Sequence, residues 1–355
     1  MRSSALEWLR DPQDGRPLTV AEGATIVDGV LVEGELVGTM RRYAIRDGVP
    51  DLAPDETLFG TARFARGYYR GIADSYDETV HVTFDLYGDT EDGFRETLVD
   101  RLGVRPGDRV LELSAGTGRD SERLLRRLGA HGHLWLLDLS PDMLRHAADR
   151  LRDAPVPVDL CVGNAAALPF ADDAFDALFC FTGVGHFPDL RRALAEMGRV
   201  VRPGGRVLFC EKNVPPWLRD TTYGRILINN NPMFADPVPL TDLPVCARNV
   251  RVQWLLGNVH YVIDYDVGEG EPVGNFDLDL PGYRGGTFNT RYYGRLEGVT
   301  PQAKALYERA AAARGESLHA WLDRVVRSAA EADLSGDGDA GPVAGDEAPT
   351  GPGAG

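Results

Sequence analysis

Apolar and polar positions change their period twice along this chain of 355 residues. Up to residue 53 the apolar runs are short. "TIVDGVLVEGELVG" is broken by Asp28-Gly29, a dipeptide suited to a two-residue turn between strands. A small β-rich module over residues 1–53 is expected. Residues 54–76 read as helical, with Phe59, Phe64, Tyr68 and Tyr69 forming an aromatic stripe. Phe94, Leu98 and Leu102 repeat at helical spacing over residues 92–102.

From residue 108 short apolar runs alternate with helical patterns. The runs predict strands at 109–113, 133–137, 158–162, 177–181 and 206–210. Leu124, Leu125 and Leu128 share a helix face, capped by Asp120 or Ser121 and stopped by Gly129. Ser140-Pro141 opens a second helix, and Leu190, Leu194, Met197 and Val201 mark a third that ends at "RPGG". Such alternation builds a mostly parallel sheet with both faces covered, an α/β fold. Residues 211–249 lack a period and hold several prolines, which predicts an active-site cap. "RVQWLL" and "NVHYVIDYDV" predict two antiparallel strands. Residues 300–332 predict two capped helices, with Thr300 before Pro301, Gly315 as stop and Ser317 as the next cap. Residues 333–355 are Gly, Ala, Asp and Pro without aromatics, and a disordered acidic tail is expected.

Charge narrows the function classes. The net charge is −16, and six acids with no basic partner sit after residue 330, leaving a body near −10. A body this acidic argues against general nucleic-acid binding, which needs clustered Lys and Arg. Lysine occurs only at Lys212 and Lys304, so arginine carries nearly all positive charge; with abundant Ala, Gly and Pro this points to a GC-rich bacterial genome. Cys161, Cys180, Cys210 and Cys246 are too far apart for a metal knuckle or redox pair and are expected as buried free thiols. No apolar signal core and no membrane-length run are present, so the chain is expected to be cytoplasmic and away from membranes.

The chemistry concentrates in "VLELSAGTGR". A strand carrying Glu112 runs into Ser114, Ala115, Gly116 and Gly118, small residues that let a ligand lie against the backbone at a strand-to-helix turn. Asp138 ends the next strand, where a carboxylate can accept from both hydroxyls of a ribose. Asn164 follows the third strand, where an amide can read the edge of an adenine. The order Glu112, Asp138, Asn164 follows one βαβαβ unit.

"VLELSAGTGR", "LLDLSPDML", "GNAAALPFADDAFDALFC" and "VVRPGGRVLF" resemble the successive motifs of class I S-adenosylmethionine-dependent methyltransferases over about residues 75–212. The resemblance implies a Rossmann-like fold with a mostly parallel seven-stranded sheet, flanked here by the N-terminal β-rich module and a C-terminal helical extension. It implies S-adenosylmethionine as cofactor, within a methyltransferase domain over residues 54–299. Glu112, Ser114, Ala115, Gly116 and Gly118 would line its amino-acid end, Asp138 its ribose, and Met143, Asn164 and Ala165 its adenine. Phe181 and Thr182 would flank the methionine portion. Tyr76 matches a tyrosine that closes over the cofactor. Ser114 departs from the family's first glycine, and Asn164 from its more usual Asp. A methyl sulfonium needs an aligned acceptor and exclusion of water, and some acceptors also need a base. His186 in "FTGVGHFPD" is the first candidate base and His260 with Asp264 the second.

The flanks carry weaker resemblances. "WLRDPQDGRPL" and "RRYAIRDGVPDL" are similar to the zinc-ribbon activator subunit of tRNA and protein methyltransferases. That family's cysteines are replaced by Asp11 and Asp14, which argues against a metal. "YGRLEGVTPQAKALYERAAAARGESLHAWLDRVVRSAA" resembles a ribbon-helix-helix unit, for which dimerisation is expected ahead of DNA binding. Arg284 and Arg291 lie in the Gly-rich run upstream, either beside an acceptor or on a surface loop. The expected function is methyl transfer to a small-molecule or peptide acceptor in bacterial secondary metabolism. An RNA methyltransferase and a non-catalytic cofactor-binding scaffold or DNA-binding regulator are the alternatives.

Overall fold

A computed structural model describes residues 1–281, 285–293 and 299–335. The chain divides into two compact units, 1–272 and 273–355. In the first unit, residues 1–53 form strands β1 (Thr19–Val20), β2 (Thr25–Val27), β3 (Val30–Val37), β4 (Arg42–Arg46) and β5 (Val49–Pro50) in one antiparallel sheet. Asp28 and Gly29 both take positive φ, 49° and 79°, and turn β2 into β3 as expected.

Helices α1 (Gly60–Ile72), α2 (Tyr76–Thr79), α3 (His81–Asp85) and α4 (Glu91–Leu102) follow. The central sheet is built from β6 (Arg109–Leu113), β7 (His133–Asp138), β8 (Val158–Val162), β9 (Phe175–Phe181), β10 (Val201–Lys212), β11 (Ala247–Leu255) and β12 (His260–Val267). Between them run α5 (Ser121–Leu128), α6 (Pro141–Arg150), α7 (Leu190–Val200) and α8 (Thr222–Asn230). The strand order is β11-β12-β10-β9-β6-β7-β8. Strands β8, β7, β6, β9 and β10 are parallel, and β12 and β11 join antiparallel. The chain reverses its direction of travel across the sheet between β6 and β9, the switch point where α/β sheets open a crevice at their carboxyl ends.

Along β7 the side chains alternate between two cores. Leu134 and Leu136 enter the cluster shared with α4, α5 and α6, while Trp135 and Leu137 enter the cluster on the opposite face. That second cluster takes in Leu9, Leu31, Leu36, Tyr43 and Ile45, so the first 53 residues share the core of the central sheet. Arg2 Nε reaches Asp159 at 3.0 Å and His133 reaches the same carboxylate at 2.8 Å, tying the two sheets together.

Where the zinc ribbon would hold metal, Asp11 is 1% exposed and forms a purely organic cross-link. Its carboxylate accepts from the Tyr43 hydroxyl at 2.7 Å, Gln13 N at 3.0 Å and Thr39 N at 3.2 Å. A Cβ on Gly38 would stand 2.0 Å from Asp11 Oδ2, so that glycine permits the close approach. Among the described residues no group of three or more His, Cys, Asp or Glu could hold a metal ion.

Two expected features differ. Asp120 sits at the N-cap of α5 but makes no cap bond, because its carboxylate pairs with Arg95. Residues 211–249, expected as a cap, line no part of the cleft described below. Val214 and Phe234 instead join the core, and Trp217 packs edge-on against Trp254 at 5.2 Å.

The second unit holds α9 (Phe288–Tyr293), α10 (Pro301–Arg314) and α11 (Leu318–Ser335). Thr300 Oγ1 accepts from Ala303 N at 3.2 Å, Gly315 stops α10 at φ 66°, and Ser317 Oγ accepts from Ala320 N at 3.2 Å. Tyr307 stacks on Trp321 between the two helices at 6.2 Å. The strand of the ribbon-helix-helix resemblance, Arg284 and the tail from residue 336 lie outside the described residues. No described helix is long and apolar enough to cross a membrane.

Candidate functional site

A cleft of about 890 Å³, counting its open mouth, lies at the carboxyl ends of β6, β7, β8 and β9. It is lined by Tyr76, Ser114, Ala115, Gly116, Asp138, Met143, Asn164, Ala165, Phe181, Thr182 and His186 of the expected residues. Glu112 and Gly118 stand behind the wall. Glu112 is 2% exposed and accepts from Ser121 Oγ at 2.5 Å. A Cβ on Gly118 would meet Ala147 Cβ at 3.2 Å, so this glycine serves the packing of the turn against α6.

Both strands flanking the switch point end in strained backbone. Ser114 after β6 has φ 53° and Thr182 after β9 has φ 61°, left-handed values that cost a non-glycine residue about 1 kcal/mol or more. A Cβ on Gly183 would stand 2.4 Å from Ser114 Oγ, so the two turns meet at this point.

Asp138 ends β7 and is buried. Its carboxylate accepts from Gly116 N at 2.9 Å and Ser140 N at 2.8 Å. Burial raises its pKa above the usual carboxylate range, and the amides of Ser140, Gly116 and Leu139 offset only part of that. No salt bridge reaches it among the described residues. Asn164 Oδ1 accepts from Ala166 N at 3.0 Å, which fixes its amide at the rim.

Charged residues that the sequence did not single out complete the opposite wall. Arg95 on α4 is 4% exposed, pairs with Glu91 at 2.7 Å and with Asp120, and lies 4.3 Å over the Phe181 ring. Arg119 also pairs with Glu91. Burial alone would raise the Glu91 carboxyl, but Arg119 and Arg95 hold it below its usual value. Burial raises Glu112 well above its usual value, and the nearby charge of Asp120 adds to this. Asp120 lines the cleft and its Oδ1 has no hydrogen-bond partner.

Aromatic rings form the outer wall. Tyr69 on α1 meets Tyr76 edge-on at 6.2 Å and His186 edge-on at 6.0 Å. Burial pushes both phenols up, so they stay protonated at neutral pH. Of the expected aromatic stripe only Tyr69 turns into the cleft; Phe59, Phe64 and Tyr68 are exposed.

The second candidate base is corrected. His260 is buried beside Phe181, stacked at 6.1 Å, and burial with Lys212 and Arg95 pushes its pKa down to about 3. Asp264 turns instead to Arg101, Arg206 and Arg251, at 2.5, 2.6 and 2.6 Å. His260 is therefore a neutral packing ring without a carboxylate partner.

Three features of the cleft suit a nucleoside joined to an amino acid. Small residues expose the backbone at one end, an ionisable carboxylate without a cation stands at its middle, and a fixed amide marks the rim.

The family model described as "Methyltransferase domain" matches residues 110–205. A ubiquinone/menaquinone biosynthesis C-methyltransferase of Bordetella avium is 34% identical over 177 residues, covering 44% of this chain and 69% of that one. An enzyme of the same name from Ralstonia nicotianae is 36% identical over 146 residues, covering 41% of this chain and 58% of that one. The chain thus spans 58 to 69% of the length of these relatives. Among solved structures, the YcgJ protein of Bacillus subtilis is similar at a TM-score of 0.39 and 18% identity, over 51% of this chain and 100% of that one.

Proposed function

Given that the chain belongs to the class I S-adenosylmethionine-dependent methyltransferases, we propose that it methylates a small-molecule acceptor admitted between Tyr69, His186 and Phe187. The cofactor is S-adenosylmethionine. When bound, it supplies a methyl group already activated by the positive sulfur. The chain's own work is alignment and exclusion of water.

Asp138 carries this reading. A buried carboxylate met by backbone amides and by no cation keeps acceptor capacity free, and two ribose hydroxyls can use it. Gly116 and Ala115 hold the amino-acid end, Asn164, Ala165 and Met143 the adenine, and Phe181 and Thr182 the side that faces the acceptor. Tyr76 and Tyr69 cover the cleft and keep water out. His186 stands at the acceptor end, within reach of a proton that leaves when the new bond forms. Its test is a split: His186→Ala lowers kcat and leaves cofactor affinity unchanged.

The names of the relatives make carbon the first acceptor atom to try. The aromatic walls suit an acceptor with a flat or apolar reacting end. Methyl-labelled cofactor, the full chain and fractionated bacterial lysate give the test. Label in the small-molecule pool supports the reading, provided Asp138→Ala abolishes it. Label in RNA or protein overturns the acceptor class.

A further inference from the structure

The segment that covers the cleft joins the hydrophobic clusters only at its ends. At one end Leu58 and Ala62 pack with Ala53 and Leu139; at the other, Val80 and Phe84 join the main core. Among the described residues, no side chain from 63 to 79 belongs to a hydrophobic cluster. Yet this stretch carries Ala65, Tyr69 and Tyr76 into the cleft.

Its middle is held by the buried Arg66, which pairs with Asp51 at 2.9 Å and Asp55 at 3.1 Å, by the buried Ala65 and Ala73, and by a row of polar pairs facing α6. Arg70 meets Asp142 at 3.3 Å, Asp74 meets Arg145 and His146 at 3.0 Å each, and Asp77 meets Arg150. The spacing along the cover is four and three residues, and along α6 it is three or four and then four or five, so both sides present one face. The first two rungs are open to water, with Arg70 51%, Arg145 60% and Asp74 85% exposed. The third is more enclosed and reaches the cleft floor, since Asp77 also accepts from Thr117 Oγ1 at 2.7 Å and Arg150 donates to Thr117 O at 2.8 Å. Exposed pairs of this kind are individually weak and screened by salt, unlike the apolar anchors.

We propose that this ion-pair ladder is an electrostatic latch: it sets the rate at which cofactor and its demethylated product pass under the cover, and ionic strength tunes that rate. This rests on the reading of the cleft as the cofactor site. Opening parts the outer rungs while both apolar anchors and the buried Arg66–Asp51 pair stay in place, a local motion well below global unfolding. Closure returns Tyr69 and Tyr76 to the cleft without repacking a core.

The test is the release rate of S-adenosylhomocysteine from the full chain, followed by surface plasmon resonance. From about 0.1 M to about 1 M NaCl the screening length falls from about 10 Å to about 3 Å, and release is expected to speed up about fivefold. Arg70→Ala with Arg145→Ala should release the ligand as fast at low salt as the wild type does at high salt, and lose the salt slope. The swap Asp74→Arg with Arg145→Asp should restore slow, salt-sensitive release, which a general loss of packing would not do. A wild type whose release ignores salt overturns the latch, as does a double variant that keeps the wild-type slope. A wild type that binds no S-adenosylhomocysteine overturns the cofactor-site reading itself, and the latch with it.

Discussion

Asp138 and Asp264 are buried carboxylates on strands of one sheet, and their surroundings differ in kind. Asp264 is fully enclosed by Arg101, Arg206 and Arg251, three cations converging from α4, β10 and β11. Its charge is cancelled within the fold. Asp138 has no cation, backbone amide donors, and a cleft in front of it. The first carboxylate has its partners built in and supports structure. The second keeps acceptor capacity free at the cost of desolvation, which is how a binding group differs from a scaffold group of the same chemistry.

The contrast is broken most directly by deleting each carboxylate. Asp138→Ala should weaken S-adenosylhomocysteine binding at least about a hundredfold by calorimetry, since two hydrogen bonds to a charged group are worth about 1.5–3 kcal/mol each. Its thermal midpoint should barely move. Asp264→Ala should do the reverse, lowering stability by about 3 kcal/mol in urea unfolding while the folded fraction binds normally. The value falls at the low end of the range for buried pairs because Arg251 is half-exposed. If both variants lose binding and stability in equal measure, the distinction fails.

A pH series sharpens it. Burial, only partly opposed by the Ser140, Gly116 and Leu139 amides, raises the folded pKa of Asp138 above its unfolded value. Its contribution to stability is therefore greatest at low pH and is lost as pH rises through the folded pKa. On the proposed ribose contact, binding runs the other way: affinity for S-adenosylhomocysteine should fall as pH drops through that same raised value. Asp159 moves oppositely in stability. Burial would raise it, but His133 and Arg2 hold it low, so its contribution is present above the usual carboxylate range and lost on acidification. The difference between wild type and Asp138→Ala isolates the Asp138 share in both readouts.

The smallest expected effect concerns backbone strain. Ser114→Gly removes a side chain from a residue at φ 53° and should stabilise the chain by about 1 kcal/mol, measured as a rise in thermal midpoint. The added freedom of the turn should loosen cofactor binding slightly, a small trade of function against stability.

The strands were legible because each is a short apolar run bounded by turn residues. β6 and β8 fall at the expected residues and β7 and β9 extend them by one or two, whereas β10 starts at Val201, read from the sequence as helix, and runs through "RPGG" to Lys212. The cleft residues that follow strands directly, Ser114, Asp138, Asn164 and Thr182, were legible for the same reason: a strand's end fixes where the next side chain stands. Arg95, Asp120 and Tyr69 were not. They sit on helices or at a helix start, and which side of a helix meets a cleft depends on packing that no local pattern encodes. Asp120 read as a cap because its neighbours fit a helix start, while its partner Arg95 lies 25 residues earlier. The cover was misplaced for a related reason. Residues 211–249 lack periodicity; Val214 and Phe234 join the core while most of the segment stays at least partly exposed, and α1 and α2, regular in sequence, line the cleft.

β8 ends the central sheet, and an open edge of this kind invites pairing with another chain. Leu52 N donates to Val162 O at 2.9 Å, and Asp51 bridges Val162 in parallel, so the first 53 residues lie along that edge. The N-terminal module thus covers that edge at Val162. Removing it is expected to bare that edge and the apolar face of Trp135 and Phe170, surfaces prone to self-association.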